Sequence, residues 1–160
     1  MIRPIEKKDV PFVLAIYNYY IKNTVITFEE VEIDAAEMQR RVDEITMSYP
    51  WVVYEEGGEI HGYAYVSPWK TRSAYRYSAE STIYLHPERT GNGTGYKLYG
   101  HLIEEARKKG LHHLLGGIAL PNPASIALHE KLKFQQCAHF KEVGFKFEKW
   151  VDTGYWELLL

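Results

Sequence analysis

The sequence predicts one α/β domain, a layered structure with a mixed sheet and packed helices. Three observations carry this. Strand-like and helix-like segments follow one another in the order β-α-α-β-β-β-α-β-α-β-β. A glycine-rich turn, Gly91 to Gly95, joins a strand to a helix near the middle of the chain. The length of 160 residues suits a single domain with one core, residues 1–160.

The elements come in order. Residues 2–5 read as a short strand. Lys7-Lys8-Asp9-Val10-Pro11 opens a helix that runs to about Lys22, with Phe12, Ile16 and Tyr19 at helical spacing. A loop spans Asn23 to Glu30, and an amphipathic helix covers roughly Asp34 to Met47. Trp51–Tyr54 and Ile60–Ser67 are strands split by the hairpin signal Gly57-Gly58. Arg76–Leu85 is a longer strand ended by His86-Pro87. After the glycine turn comes a helix, Tyr96–Lys109, with Leu98, Leu102, Ile103 and Ala106 as its buried stripe and Gly110 as its stop. His113–Ile118 is the next strand. Asn122-Pro123 caps a short helix ending near Leu132. Phe134–His139 and Gly154–Leu159 read as the final strands.

Composition excludes several classes. Hydrophobic residues make up 46% and charged residues 25%, an ordinary globular balance. The net charge of −2 offers no basic footprint for nucleic acid. The aromatic share of 14%, with 13 Tyr, suits a core or pocket lined with rings. The one cysteine, Cys137, rules out an intrachain disulfide and points to a reducing compartment. It reads as a small buried hydrophobe. Met1–Glu6 lacks the apolar run of a signal peptide, and no run of 18 apolar residues suggests a membrane span. A cytoplasmic protein is expected. His112-His113 is adjacent at a strand start and points to opposite faces, so no metal is assigned.

Thr90-Gly91-Asn92-Gly93-Thr94-Gly95 is the most informative stretch. Alternating glycines let the backbone approach a ligand and turn its N–H groups outward. The helix behind adds unpaired N–H groups and a positive dipole end, which suits a diphosphate. A plain tight turn has the same spacing. A dinucleotide fingerprint fails, because its third glycine falls on Tyr96 or Leu98. A nucleoside-triphosphate loop fails too, because Lys97 follows Tyr96 and precedes Leu98.

The strand, the glycine turn and the helix resemble the acetyl-CoA site of the GNAT superfamily, whose motif is Arg/Gln-x-x-Gly-x-Gly. The first position departs, with Thr90 in place of Arg or Gln, and Arg89 sits one residue early. Backbone N–H groups should hold the pyrophosphate, so weakened CoA affinity is expected rather than its loss. The resemblance narrows to the phosphinothricin N-acetyltransferase family and covers nearly the whole chain. It is carried by Thr27-Phe28, Tyr49-Pro50-Trp51, Pro68 to Tyr75, Ala79 to Tyr84, Asn122 to Glu130, Val143 to Lys146, and Trp150. Lys133 departs where the family has Gly before Phe134, at a helix end where the effect is on local geometry. The resemblance implies a GNAT fold, a mixed and mostly antiparallel central sheet flanked by helices. It also implies acetyl transfer from acetyl-CoA, without a metal, to the primary amine of a small molecule. Phosphinothricin, methionine sulfoximine and methionine sulfone are the implied acceptors. The family often pairs into dimers, and the aromatic C-terminal strand offers such an interface.

Transfer to an amine needs an uncharged nitrogen, and an α-amine with pKa of roughly 8 is mostly protonated at neutral pH. A positioned base removes that proton. Glu80, on the strand before the glycine turn, is the candidate, directly or through a water; an exposed strand glutamate is the plain alternative. The resemblance implies a base here as well. His129 follows Ser125 by one turn on the same helix face. The resemblance gives it the place of a tyrosine that serves the leaving thiolate, where an imidazole donates to sulfur or relays a proton; a partnerless surface His is the alternative.

For the cosubstrate, the resemblance implies backbone groups of Ile83, Tyr84 and Leu85 along the pantetheine, and Gly91, Asn92, Gly93, Thr94, Gly95 and Tyr96 at the pyrophosphate. Asn122 is explained completely as a helix cap; the resemblance adds that its amide faces the pantetheine while its backbone serves the cap. For the acceptor, Lys70, Thr71, Arg72 and Tyr75 stand before the base strand, and Ser81 and Thr82 flank the base. Arg72 suits a carboxylate or phosphinate, though a solvated loop with two cations reads equally well. Phe28, Ala119 and Thr153 line the pocket by resemblance, and Lys146 adds positive charge. Two other functions fit. One is a GNAT enzyme acting on a polyamine, an aminoglycoside or a protein N-terminus. The other is a CoA-binding module without catalysis.

Overall fold

A computed structural model describes residues 1–160. Seven strands form one sheet: β1 (Ile2–Pro4), β2 (Trp51–Glu56), β3 (Glu59–Pro68), β4 (Ser78–Leu85), β5 (His113–Leu120), β6 (Gln135–Lys146) and β7 (Lys149–Leu159). The spatial order is β1-β2-β3-β4-β5-β7-β6, and every pairing but β4–β5 is antiparallel. Four helices flank it: α1 (Val10–Asn23), α2 (Ala35–Thr46), α3 (Thr94–Lys108) and α4 (Pro123–Lys131).

Strand alternation sorts the core into two layers. Val52, Ala64, Val66 and Ala79 face α3, against Leu98, Tyr99, Leu102 and Ala106. Trp51, Val53, Ile60 and Tyr63 face the other way, against Val13 and Ile16 of α1 and Met38 and Val42 of α2. The α3 stripe read from spacing is buried as expected, and Tyr99 joins it, fully buried. On α1 the buried face is Val10, Val13, Ile16 and Ile21, while Phe12 is 51% exposed and Tyr19 44% exposed. Of the three positions read from spacing, Ile16 lies on the buried face, whereas Phe12 and Tyr19 lie outside it.

Other boundaries differ. β4 begins at Ser78, because Ser73–Tyr75 forms a 3₁₀ turn and Arg76 caps it. α3 begins at Thr94, two residues before the expected start. β6 and β7 are longer than expected and meet in a tight hairpin at Phe147 and Glu148, both at positive φ. Cys137 is exposed, not buried. It stands on the sheet-edge strand β6, where no further element covers the side chain. Lys133 has φ 73°, the left-handed conformation that ends α4 and that glycine adopts without strain. No helix is long and apolar enough to cross a membrane.

Candidate active site

β4 and β5 run parallel, and they pair only through Ser78–His113, Ala79–Leu114 and Glu80–Leu115. Beyond Glu80 the strands part, and a cavity of about 560 Å³ opens between them. Glu80, Ser81, Thr82, Ile83 and Tyr84 line it from β4, and Gly117, Ile118 and Ala119 from β5. Parting also leaves one edge of β4 without a partner strand. The His86 N–H donates to the His61 carbonyl at 2.8 Å, which makes Gly62–Leu85 a non-hydrogen-bonded pair. Ala64–Ile83, two residues back, is of the same kind. The backbone groups of Ile83 and Leu85 therefore point away from β3, toward the opening. The Leu85 carbonyl already accepts from the Tyr20 hydroxyl at 2.8 Å. An extended ligand would find its remaining partners at the Ile83 amide and carbonyl and the Leu85 N–H.

Alternation places Glu80 and Ser81 on opposite faces of the sheet. Glu80 lies over Gly117; a Cβ at that glycine would stand 3.3 Å from Oε1 and 3.1 Å from the Tyr155 ring. Burial raises the Glu80 carboxyl above its ordinary value of 4.5, with no cation or hydrogen bond opposing it. That is the direction a general base needs.

On the other face, His129 is 3% exposed and its ring nitrogens are both engaged. Nδ1 donates to the Ser125 carbonyl at 2.7 Å, and Nε2 lies 3.0 Å from the Tyr99 hydroxyl. A direct proton transfer from the ring to a ligand would break one of these contacts. Burial lowers the His129 pKa, against a smaller upward pull from the Ser125 carbonyl. The Ser81 hydroxyl is turned from the acceptor space and bonds Tyr99 at 2.7 Å and the Leu115 carbonyl at 3.1 Å.

The glycine turn fits a pyrophosphate. Gly91 and Gly93 have φ of 80° and 84°, and nothing lies within 4 Å of the Cβ that either lacks. Gly93 is the N-cap of α3 and provides no side-chain cap. Asn92 Oδ1 accepts from the Thr94 N–H at 3.1 Å. Of the turn's expected contacts, Asn92 and Thr94 are thus engaged with each other, and the N–H groups of Gly95 and Tyr96 are left for an anion. The Lys131 ammonium sits 4.8 Å from the Tyr96 ring centroid and adds positive charge beside the turn. Asn122 caps α4 with its side chain, not only its backbone: Oδ1 accepts from the Ser125 N–H at 3.1 Å. Its side-chain NH₂ is the part left for a ligand.

Of the expected acceptor residues, Phe28, Lys70, Ser81, Thr82, Ala119 and Thr153 line the cavity. The Thr153 hydroxyl is buried there with no partner. Thr71, Arg72 and Tyr75 do not line it; the Ser73–Tyr75 turn carries that segment to the exposed surface. Lys70 is the cation that remains, its ammonium 5.5 Å from the Trp69 ring centroid. Lys146 is also elsewhere. It is 1% exposed and donates to the Thr27 carbonyl at 2.8 Å, so it braces the loop that bears Phe28. Trp69, Phe140, Val143 and Tyr155 also line the cavity; none is an expected acceptor residue, although Trp69 and Val143 stand in segments that carry the resemblance. Tyr155 shares a strand face with Thr153, a signal that a longer β7 would have exposed.

The chain matches the family model described as acetyltransferase (GNAT) domain over residues 2–154. It is 35% identical to the L-methionine sulfoximine/L-methionine sulfone acetyltransferase of Salmonella typhimurium, covering 99% of this chain and 94% of that protein. Among solved structures, the phosphinothricin acetyltransferase of Sinorhizobium meliloti in complex with acetyl-CoA superposes with a TM-score of 0.96 at 36% identity, over 100% of this chain and 88% of that one. A ribosomal-protein-alanine N-acetyltransferase of Brucella melitensis superposes with a TM-score of 0.98 at 35% identity, over 100% and 99%. A parted pair of parallel strands, a glycine turn shaped for pyrophosphate and a family match along almost the whole chain agree: this protein belongs to the GNAT family of acetyltransferases, enzymes that take their acetyl group from acetyl-CoA.

Proposed function

We propose that this acetyltransferase acetylates the α-amine of a small anionic amino acid of the methionine sulfoximine, methionine sulfone or phosphinothricin type. The observation that carries the reading is Glu80, a half-buried carboxylate with a raised pKa that faces the same cavity as one lysine, Lys70. The names of the relatives support it. In this reading Lys70 attracts the acceptor's anionic group, and Phe28, Trp69 and Tyr155 enclose its side chain. Glu80 accepts the proton of the ammonium as the nitrogen approaches the acyl carbon. Acetyl-CoA supplies an activated acyl group with a thiolate leaving group. Ile83, Leu85, Gly95, Tyr96 and the Asn122 amide hold the cosubstrate.

The sign of the pH dependence follows. A base works only when deprotonated, so kcat/KM falls as pH drops through the Glu80 pKa, which lies above 4.5. The test is thiol release from acetyl-CoA with the three amino acids, beside unrelated amines. Fast release with the three, reduced by about 10²–10⁴-fold in Glu80→Gln, is expected. Wild-type turnover in Glu80→Gln overturns the base assignment. A second reading, transfer to a protein N-terminus, is favoured by the likeness to the ribosomal-protein-alanine enzyme. An alanine-terminated peptide in the same panel tests it.

A further inference from the structure

His129 stands within a closed row of hydrogen-bonding groups. The row runs from the Ser125 carbonyl to His129 at 2.7 Å, to Tyr99 at 3.0 Å, to Ser81 at 2.7 Å and to the Leu115 carbonyl at 3.1 Å. Both ends are carbonyls, which only accept. Four contacts therefore need four protons. Tyr99 and Ser81 carry one each. A neutral imidazole carries one and an imidazolium two. With a neutral ring the row is one proton short.

The distances say where the gap falls. The 2.7 Å contact to Ser125 assigns the neutral ring's proton to Nδ1. Tyr99 must then donate to Nε2, and Ser81 to Tyr99. The Ser81 hydroxyl then turns to Tyr99 and gives up its contact to the Leu115 carbonyl, the longest of the row. A proton taken up at Nε2 reverses both hydroxyls: Nε2–H donates to Tyr99, Tyr99 to Ser81, and Ser81 to Leu115. Both O–H groups only rotate, and no covalent bond breaks.

We propose that Ser81 and Tyr99 are positioning residues that hold His129 ready to carry a second proton, because only the doubly protonated ring completes the row. The consequence for turnover rests on the acetyl-transfer reading above. Transfer to an ammonium releases one proton overall and builds negative charge on the departing sulfur. A positive ring on the cavity wall favours that charge. Burial acts in the opposite sense on the ring and outweighs the pull of the Ser125 carbonyl, so the row works against a lowered pKa.

The groups packed on the ring from each element are uncharged. They are Tyr99 from α3, Ser125 from its own helix, Gly116 from β5, and Phe134 after α4. The titratable groups sharing the cavity are Glu80 and Tyr84 from β4, Lys70 before β4, and Tyr155 from β7. Glu80 is the carboxylate among them. Its charge, after burial, helps keep the Tyr99 hydroxyl protonated.

The test is the titration of His129, followed by nitrogen-15 NMR of the imidazoles in the full-length protein. The sequence has seven histidines, and His129→Gln identifies the signal. Ser81→Ala removes a hydroxyl that does not touch the ring. The neutral row then has as many protons as contacts, and the charged row leaves the Tyr99 O–H without an acceptor. The His129 pKa is expected to fall by about one pH unit or more. Tyr99→Phe lowers it as well, because an unpartnered N–H is costlier on a charged ring. Ser81→Thr restores the wild-type titration. An unmoved His129 titration in folded Ser81→Ala overturns the inference, and if Tyr99→Phe fails to fold that variant alone decides. A shifted titration in an enzyme that acetylates none of the amines supports the row and sinks the substrate reading instead.

Discussion

Replacing Gly116 by alanine measures how firmly the His129 ring is held. The new methyl would stand 2.4 Å from Nε2, 2.8 Å from Cδ2 and 3.3 Å from the Tyr99 hydroxyl. Comfortable contacts lie at roughly 3.5–4.0 Å, so the ring must retreat by about 1 Å. Its neighbours resist. Tyr99 and Phe134 pack edge-on against it with centroids at 5.0 and 5.2 Å, and Nδ1 is tied to the Ser125 carbonyl. Overpacking of this kind costs about 1–3 kcal/mol. Breaking the contact between Nε2 and Tyr99 leaves buried polar groups unpaired and adds about 1–3 kcal/mol. The sum, about 2–6 kcal/mol, lowers the melting temperature by roughly 4–24 °C at about 2–4 °C per kcal/mol. Thermal and urea melts of the purified variant read this directly. Thiol release should slow in the same variant, while acetyl-CoA affinity changes less, because the turn at Gly91 to Tyr96 is not among the contacts of Gly116. A variant with wild-type melting and wild-type turnover would refute the claim that the ring is fixed.

Lys133→Gly is expected to stabilise the protein. It removes a left-handed backbone cost of about 1–2 kcal/mol and adds about 0.4–1 kcal/mol of unfolded-chain entropy, so a net gain of about 0.5–1 kcal/mol should appear in a urea melt. Asp9→Asn is expected to destabilise by about 3 kcal/mol, because the buried carboxylate accepts both Arg3 guanidinium nitrogens at 2.7 and 2.8 Å and the Glu6 N–H at 2.8 Å. Burial alone would raise the Asp9 pKa, but Arg3 and the Glu6 N–H together hold it below 3.8. Its contribution is therefore complete above about pH 4 and is lost as pH falls through the folded value, so the acid limb of stability should flatten in Asp9→Asn.

Local rules in the sequence reached far into this structure. The glycine turn, the cap at Asn122 and the α3 stripe are each written in residues within one or two turns of each other, and spacing alone exposes them. The Lys133 departure was legible only through the family resemblance, which has Gly before Phe134, and the structure adds its left-handed backbone. Failures came where a residue's fate depends on what packs above it. Phe12 and Tyr19 share the period of α1 but not its buried face. Cys137 reads as a core residue until β6 proves to be the sheet edge. Arg72 and Lys146 have the charge expected of an anion site, yet a 3₁₀ turn carries one away and the Thr27 carbonyl holds the other.

The sequence by itself determined the order of elements, the glycine-rich turn and the place of Glu80 on the strand before it, because backbone preference and short-range spacing act between near neighbours. Tertiary structure alone decided where β4 and β5 part, and thus that Glu80 and His129 reach one cavity from opposite faces of the sheet. It also decided that Ser81, Tyr99 and His129, spread over 48 positions of the chain from 81 to 129, join in one row. Such contacts arise from the packing of α3 and α4 against the strands, and no local pattern in the chain encodes which hydroxyl will meet which ring.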